Sequence, residues 1–142
     1  MPKLYHGTSR AHATAMCGSP NHGGTINVWQ GGGEFGRRFY AQSSISNAHR
    51  RGYLTYGGQN GAVLVLDIDD VPFHALRFWR LTLNRAQQLN AQLTGVARSS
   101  FVTSDDVIIG PLVAFPHIEQ QKFQTQNAQN LLNGPETQRS VV

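Results

Sequence analysis

Apolar positions in this chain come in short runs divided by polar, glycine-rich stretches, and their spacing predicts strands and helices in alternation. Leu4-Tyr5-His6 reads as a strand closed by Gly7-Thr8-Ser9, with Ser9 placed to cap a helix running from Ala11 to Met16. Arg38-Phe39-Tyr40-Ala41 repeats the arrangement, and Ser43-Ser44 then offers a cap to a helix through His49 and Arg50. Ala62 to Ile68 is the most continuous apolar, β-branched run. Because Gly57, Gly58 and Gly61 before it mark a turn, it is expected as a buried central strand, the spine of a sheet.

Further along, Pro72 and Phe73 open a turn, and Leu83 to Leu93 carries leucines at helical spacing, ended by Gly95. Val107 to Gly110 and Ile118 to Phe123 read as strands, and Ala128 to Leu132 as a helix following Thr125. Asn133-Gly134-Pro135 stops that helix, leaving residues 134–142 as an expected flexible tail after a single domain over 1–133. Between the first two strand-to-helix units lies a segment from Gly18 to Gly36, rich in Gly, Asn, Pro and Ser. It is expected as a long loop with at most a short strand at Thr25–Trp29, and loops of this length are commonly functional or mobile.

Composition narrows the possibilities without choosing among them. A chain of 142 residues, 39% hydrophobic and 14% charged with 15 glycines, can bury one core while spending many positions on loops. Twelve Lys and Arg against eight Asp and Glu give a formal charge of +4, suited to polyanions, acidic surfaces or a pyrophosphate-bearing ligand. Cys17 is the only cysteine, so no internal disulfide is possible, and a structural or incidental role is expected for it. The opening MPKLYHGTSR lacks the apolar stretch of a signal peptide, and no run approaches the ~18 apolar residues of a membrane span, so a soluble chain is expected. His22, His74 and His117 have no metal-ligand spacing, and no metal is expected. Gly31–Gly36 lacks the Lys-[Ser/Thr] of a phosphate-binding P-loop and precedes a strand instead of a helix. Asp67, Asp69, Asp70, Asp105 and Asp106 sit at strand ends, where turn and capping roles dominate.

Three segments carry polar groups at strand edges: LYHGTS at Leu4–Ser9, GEFGRRFYAQSS at Gly33–Ser44, and PHIEQQKFQT at Pro116–Thr125. Together they resemble the diphtheria-toxin-like branch of the ADP-ribosyltransferases, which includes the poly(ADP-ribose) polymerases and small bacterial toxin domains with a His-Tyr-Glu triad. His6-Gly7-Thr8 looks like the family's first motif. FGRRFYAQSS resembles its second, with Arg38 where the family often has Gly and Tyr40 in the place of the triad tyrosine. DVIIGPLVAFPHIEQQKFQTQNAQNLL looks like the C-terminal part of bacterial members, so the likeness runs from Leu4 to Leu132.

The resemblance implies an α+β fold: two small antiparallel sheets packed as a split β-sandwich with short flanking helices and a cleft between them. It implies NAD as a substrate, with His6 on the ribose, the Gly7 backbone on the nicotinamide carboxamide, and Thr8, Phe39 and Ser43 close by. Tyr40 would stack on the nicotinamide, and Tyr53 is the expected second stacking residue. A carboxylate must stabilise the oxocarbenium-like transition state. Of the three glutamates, Glu34 lies in the glycine loop and Glu136 in the tail, so Glu119, on a predicted strand, is the expected acid. Related bacterial members often have Gln three residues before the Phe of an F-x-T element; here that residue is Gln120, which stays open as the alternative. On a strand, Glu119, Gln121 and Phe123 share one face and Gln120 takes the other.

Arg37, Arg38, Arg50 and Arg51 flank the second motif and are expected on one side of the cleft, as contacts to the pyrophosphate or to the acceptor. Trp29 is expected to pack, to reach over bound adenine or to touch a partner. The resemblance further implies a mono-ADP-ribosyltransferase acting on a protein or RNA acceptor. Its setting would be the cytoplasm, or a target cell reached as part of a secreted effector, with room for an immunity protein as partner. Two alternatives stay open: an RNA 2′-phosphotransferase-like enzyme of the same fold, and a non-catalytic basic module gripping nucleic acid through the arginines.

Overall fold

A computed structural model describes residues 2–19 and 22–142; Pro20 and Asn21, inside the expected long loop, lie outside the described residues. Strand β1 (Lys3–Ser9) passes directly into helix α1 (Arg10–Cys17), where the Ser9 side chain accepts a hydrogen bond from the His12 amide at 3.1 Å. Two-residue strands β2 (Gly18–Ser19) and β3 (His22–Gly23) pair with each other. Strand β4 (Phe39–Gln42) then meets helix α2 (Ile45–Tyr56), capped by Ser44 on the Asn47 amide at 3.1 Å. Both strand-to-helix transitions follow from one local rule, that a serine oxygen satisfies an amide the first helical turn leaves unpaired.

Strand β5 (Gly61–Ile68), short helix α3 (Asp70–His74), strand β6 (Phe78–Arg80) and helices α4 (Leu83–Gln92) and α5 (Gly95–Ser100) follow. The chain ends with β7 (Val107–Pro111), β8 (Glu119–Phe123), α6 (Gln126–Asn133, capped by Thr125) and β9 (Thr137–Val141). The expected turn at Pro72 and Phe73 is helical, and Gly95, at φ +55°, opens α5 instead of closing α4. Among the described residues no helix is long and apolar enough to cross a membrane.

The fold is α+β. Its main sheet runs β6-β7-β8-β4-β1-β5-β9, antiparallel throughout except for the parallel β6–β7 pair. Pairing is extensive within each half: β1 and β5 share seven register pairs from Lys3↔Asp67 to Ser9↔Gly61, and β4 and β8 four from Phe39↔Phe123 to Gln42↔Gln120. Between the halves it reduces to Tyr5↔Gln42. The sheet is therefore two blades, β9-β5-β1 and β6-β7-β8-β4, touching at one pair and splayed beyond it.

Three expectations need correction. The apolar run 62–68 is not the spine of the sheet, because β5 lies one strand from its edge and β4 is central. Its continuous hydrophobicity comes from burial on both faces. Ala62, Leu64, Leu66 and Ile68 join the main core with Ala13 of α1 and Leu132 of α6, while Val63, also fully buried, faces α2. Thr25–Trp29 forms no strand; side chains of α6 take the place of a partner ladder. The Asn133 amide group bonds both the Ile26 amide (2.7 Å) and its carbonyl (2.9 Å), and Gln129 Oε1 accepts from the Val28 amide at 2.9 Å. Residues 134–142 are not a flexible tail. They close the sheet as β9, in register with β5 from Leu64↔Val141 to Ile68↔Thr137, and Arg139 donates to the Met16 and Gly24 carbonyls. Removing residues 137–142 bares the β5 edge and unties that loop, so the truncated chain is expected to melt roughly 10 °C lower; equal melting curves by circular dichroism would show β9 to be dispensable.

Candidate active site

Where the blades splay, a cavity of about 920 Å³ opens. Residues of both sheet faces line it, His12 and Met16 from α1 and Asn47, Arg50 and Arg51 from α2, so it passes through the split and does not lie on one surface. Helix α2 comes very close to β1: a side chain at Gly7 would collide with the Ala48 carbonyl. Only glycine permits that approach.

His6 stands at the split. Its Nδ1 lies 2.6 Å from the Tyr40 carbonyl oxygen on the opposite blade, and its ring packs on Phe39 with centroids 4.4 Å apart. A carbonyl only accepts, so Nδ1 carries the proton and Nε2 is left as an acceptor. Burial lowers the imidazole pKa from 6.5 to about 4, against the opposing effect of the Tyr40 carbonyl, so the ring is neutral near pH 7. Gly7, Thr8, Phe39 and Tyr40 line the same cavity.

Tyr40 is held more tightly than its expected stacking role requires. Its hydroxyl donates to the Gly36 carbonyl at 2.5 Å and accepts from the Phe35 amide at 3.0 Å. A Cβ at Gly33 would sit 2.6 Å from the ring, so the glycine loop lies across that face. Burial pushes the hydroxyl pKa well above the usual tyrosine range. Arg98 adds a second tie, donating to the Gly33 carbonyl at 2.8 Å. Lys122 adds a third: fully buried on β8, its Nζ donates to the carbonyls of Phe35 (2.9 Å) and Phe101 (2.8 Å). Desolvation, and secondarily the nearby Arg38 charge, lower its pKa to about 7.

The expected acid is not in the cleft. Glu119 is exposed at the first position of β8 and lines no part of the cavity, whereas Gln120 is buried and does. The reason is strand parity. Phe123, on the face of Glu119, enters the main core, which turns Gln120 and Lys122 toward the glycine loop. There Gln120 Nε2 donates to Glu34 Oε1 at 2.9 Å. Glu34 also accepts from the Val113 amide (Oε1, 2.6 Å) and the Ala114 amide (Oε2, 3.3 Å), and it lines the cavity. The sequence reading passed over Glu34 because nothing local distinguishes a loop glutamate that meets amides 79 and 80 residues away.

The four arginines do not converge. Arg50 and Arg51 line the cavity, but Arg37 is exposed elsewhere and Arg38 stacks over Trp29, 5.1 Å from its ring centroid. Trp29 therefore packs under an arginine and does not line the cavity. Tyr53, 62% exposed, sits in a separate shallow groove with His49 and Gly57, so it stacks on nothing in the cleft; Tyr56 lines the cavity instead. Ser43 is also outside, exchanging hydrogen bonds with the Glu119 backbone. Asn47, Arg50, Arg51, Leu54 and Thr55 form the lining face of α2, an i, i+3, i+4, i+7, i+8 stripe that helical periodicity could have shown in advance.

Two buried bases give stability a defined pH response. Between pH 6.5 and about 4 the unfolded chain takes up a proton that folded His6 refuses, so stability falls as pH drops through that window. Between pH 10.5 and about 7 the unfolded chain likewise carries the proton that folded Lys122 lacks, so stability rises with pH from 7 upward. Each slope is at most about 1.4 kcal/mol per pH unit. Urea unfolding at pH 5, 7 and 9 checks both: His6→Gln should flatten the acid limb and Lys122→Met the alkaline one, and unchanged slopes would exclude these groups as the cause. Compared with known proteins, the chain matches no protein-family model and no curated protein.

Proposed function

We propose that this chain is an NAD-dependent mono-ADP-ribosyltransferase, releasing nicotinamide and passing ADP-ribose to a protein or RNA acceptor. The observation that carries the reading is the meeting of His6 and Tyr40, from different blades, at one cavity where the ladder between β1 and β4 runs out. The cavity is at the upper end of the size range for small-ligand sites, which suits a dinucleotide. A neutral His6 with Nε2 as acceptor suits a ribose hydroxyl, and Phe39 and Tyr40 supply the aromatic wall beside it. Arg50 and Arg51 offer guanidinium forks to the pyrophosphate. In this reading the Gly7 backbone holds the carboxamide, and nicotinamide leaves before the acceptor attacks.

The positive charge of +4 favours an acidic or nucleic-acid acceptor surface. A role as a toxin or effector domain follows from the same resemblance, and with it a cognate inhibitor covering the cleft. The competing readings, an RNA phosphotransferase or a non-catalytic nucleic-acid binder, draw on all four arginines gathering on one side of the cleft. Of the four, only Arg50 and Arg51 line the cavity, while Arg38 stacks over Trp29, which weakens both.

Incubation with NAD labelled in the nicotinamide ring is expected to release labelled nicotinamide. His6→Ala should lower that rate by about 100-fold, and Arg50→Ala should raise KM for NAD several-fold with kcat little changed. Salt-sensitive RNA binding without any nicotinamide release would reject the transferase reading.

A further inference from the structure

The proposed reaction needs a carboxylate beside the breaking bond, and among the described residues that line the cavity Glu34 is the single acidic side chain. Neither Glu119 nor Glu136 lines it. Glu34 is also positioned with more precision than a loop glutamate ordinarily is. The Val113 amide and Gln120 Nε2 both donate to Oε1, while Oε2 receives, among the described residues, only the 3.3 Å contact from Ala114. The loop that bears it is built. Gly31 and Gly36, at φ +108° and +98°, set its bends, and Tyr40, Arg98 and Lys122 bond its backbone at Gly33, Phe35 and Gly36.

We infer that Glu34 is the catalytic carboxylate of this site, delivered by the glycine loop instead of by β8, and that Gln120 is a positioning residue that holds its Oε1. The assignment rests on the transferase reading. When the bond between ribose C1′ and the nicotinamide nitrogen breaks, the electron pair stays on that nitrogen and nicotinamide leaves uncharged. Positive charge then develops on the ribose ring, where the Glu34 carboxylate stabilises it without forming a bond. The acceptor oxygen adds to C1′ and loses its proton to solvent. With water as acceptor, NAD⁺ and H₂O give ADP-ribose, nicotinamide and H⁺.

The test measures nicotinamide release from NAD with water as acceptor, in the full chain. Glu34→Gln should lower kcat by about 100-fold with KM for NAD within roughly threefold, while Glu119→Gln leaves both unchanged. Gln120→Ala should lower kcat by about tenfold at similar KM. Exchanging the two groups in a Glu34→Gln/Gln120→Glu double variant retains the hydrogen-bonded pair and should recover at least about tenfold over Glu34→Gln alone. This second variant keeps the question open to refutation if the single one folds poorly, which thermal melting will show. Release that survives Glu34→Gln in a folded protein overturns the assignment and leaves the transferase reading standing. No release from the unsubstituted chain overturns that reading, and this assignment with it.

Discussion

The whole arrangement depends on the place where two blades of sheet stop pairing. β1 pairs with β5 along its full length and β4 with β8, whereas β1 and β4 meet only at Tyr5↔Gln42. Backbone groups exposed by such a gap must find other partners. His6 supplies one, reaching across to the Tyr40 carbonyl. The same bond settles the tautomer of the ring, while burial, acting against that bond, keeps the ring neutral. On the other side, the absence of a side chain at Gly7 lets α2 press against β1 and turn its arginine-bearing stripe toward the opening.

The glycine loop is the second structural commitment, and it is an expensive one. A buried lysine whose bonded partners are two carbonyls loses its hydration for two neutral acceptors, and its lowered pKa reflects that cost. Tyr40 and Arg98 likewise direct their polar groups to loop backbone. Four backbone groups within Gly33–Gly36 are thereby bonded to side chains from β4, β8 and α5, which makes a glycine-rich segment an ordered wall of the cavity. Conformational freedom in such a segment is otherwise large and costly to remove.

Much of this was legible in the sequence, for reasons that are local. Ser9, Ser44 and Thr125 each announce a helix through an amide within three residues, and the run from Ala62 to Ile68 announces a buried strand. His6 and Tyr40 stood out through their motifs, and both line the cavity. The lining stripe on α2 was equally open to reading, since Arg50 and Arg51 share a helical face with Asn47 while Tyr53 falls outside it.

Tertiary structure alone decided the rest. Alternation says that Glu119 and Gln120 point oppositely, but which of them meets the cavity depends on which face of β8 the core claims, and Phe123 makes that choice. The polar stretch after Pro135 became β9 because β5 had an edge to fill, a demand invisible in the stretch itself. Glu34 joined the site through amides distant in the chain. The sequence by itself determined the strands, caps and helical faces, because those depend on neighbours a few residues apart; tertiary structure decided which groups share the cavity, because that depends on contacts the chain makes only when it closes on itself.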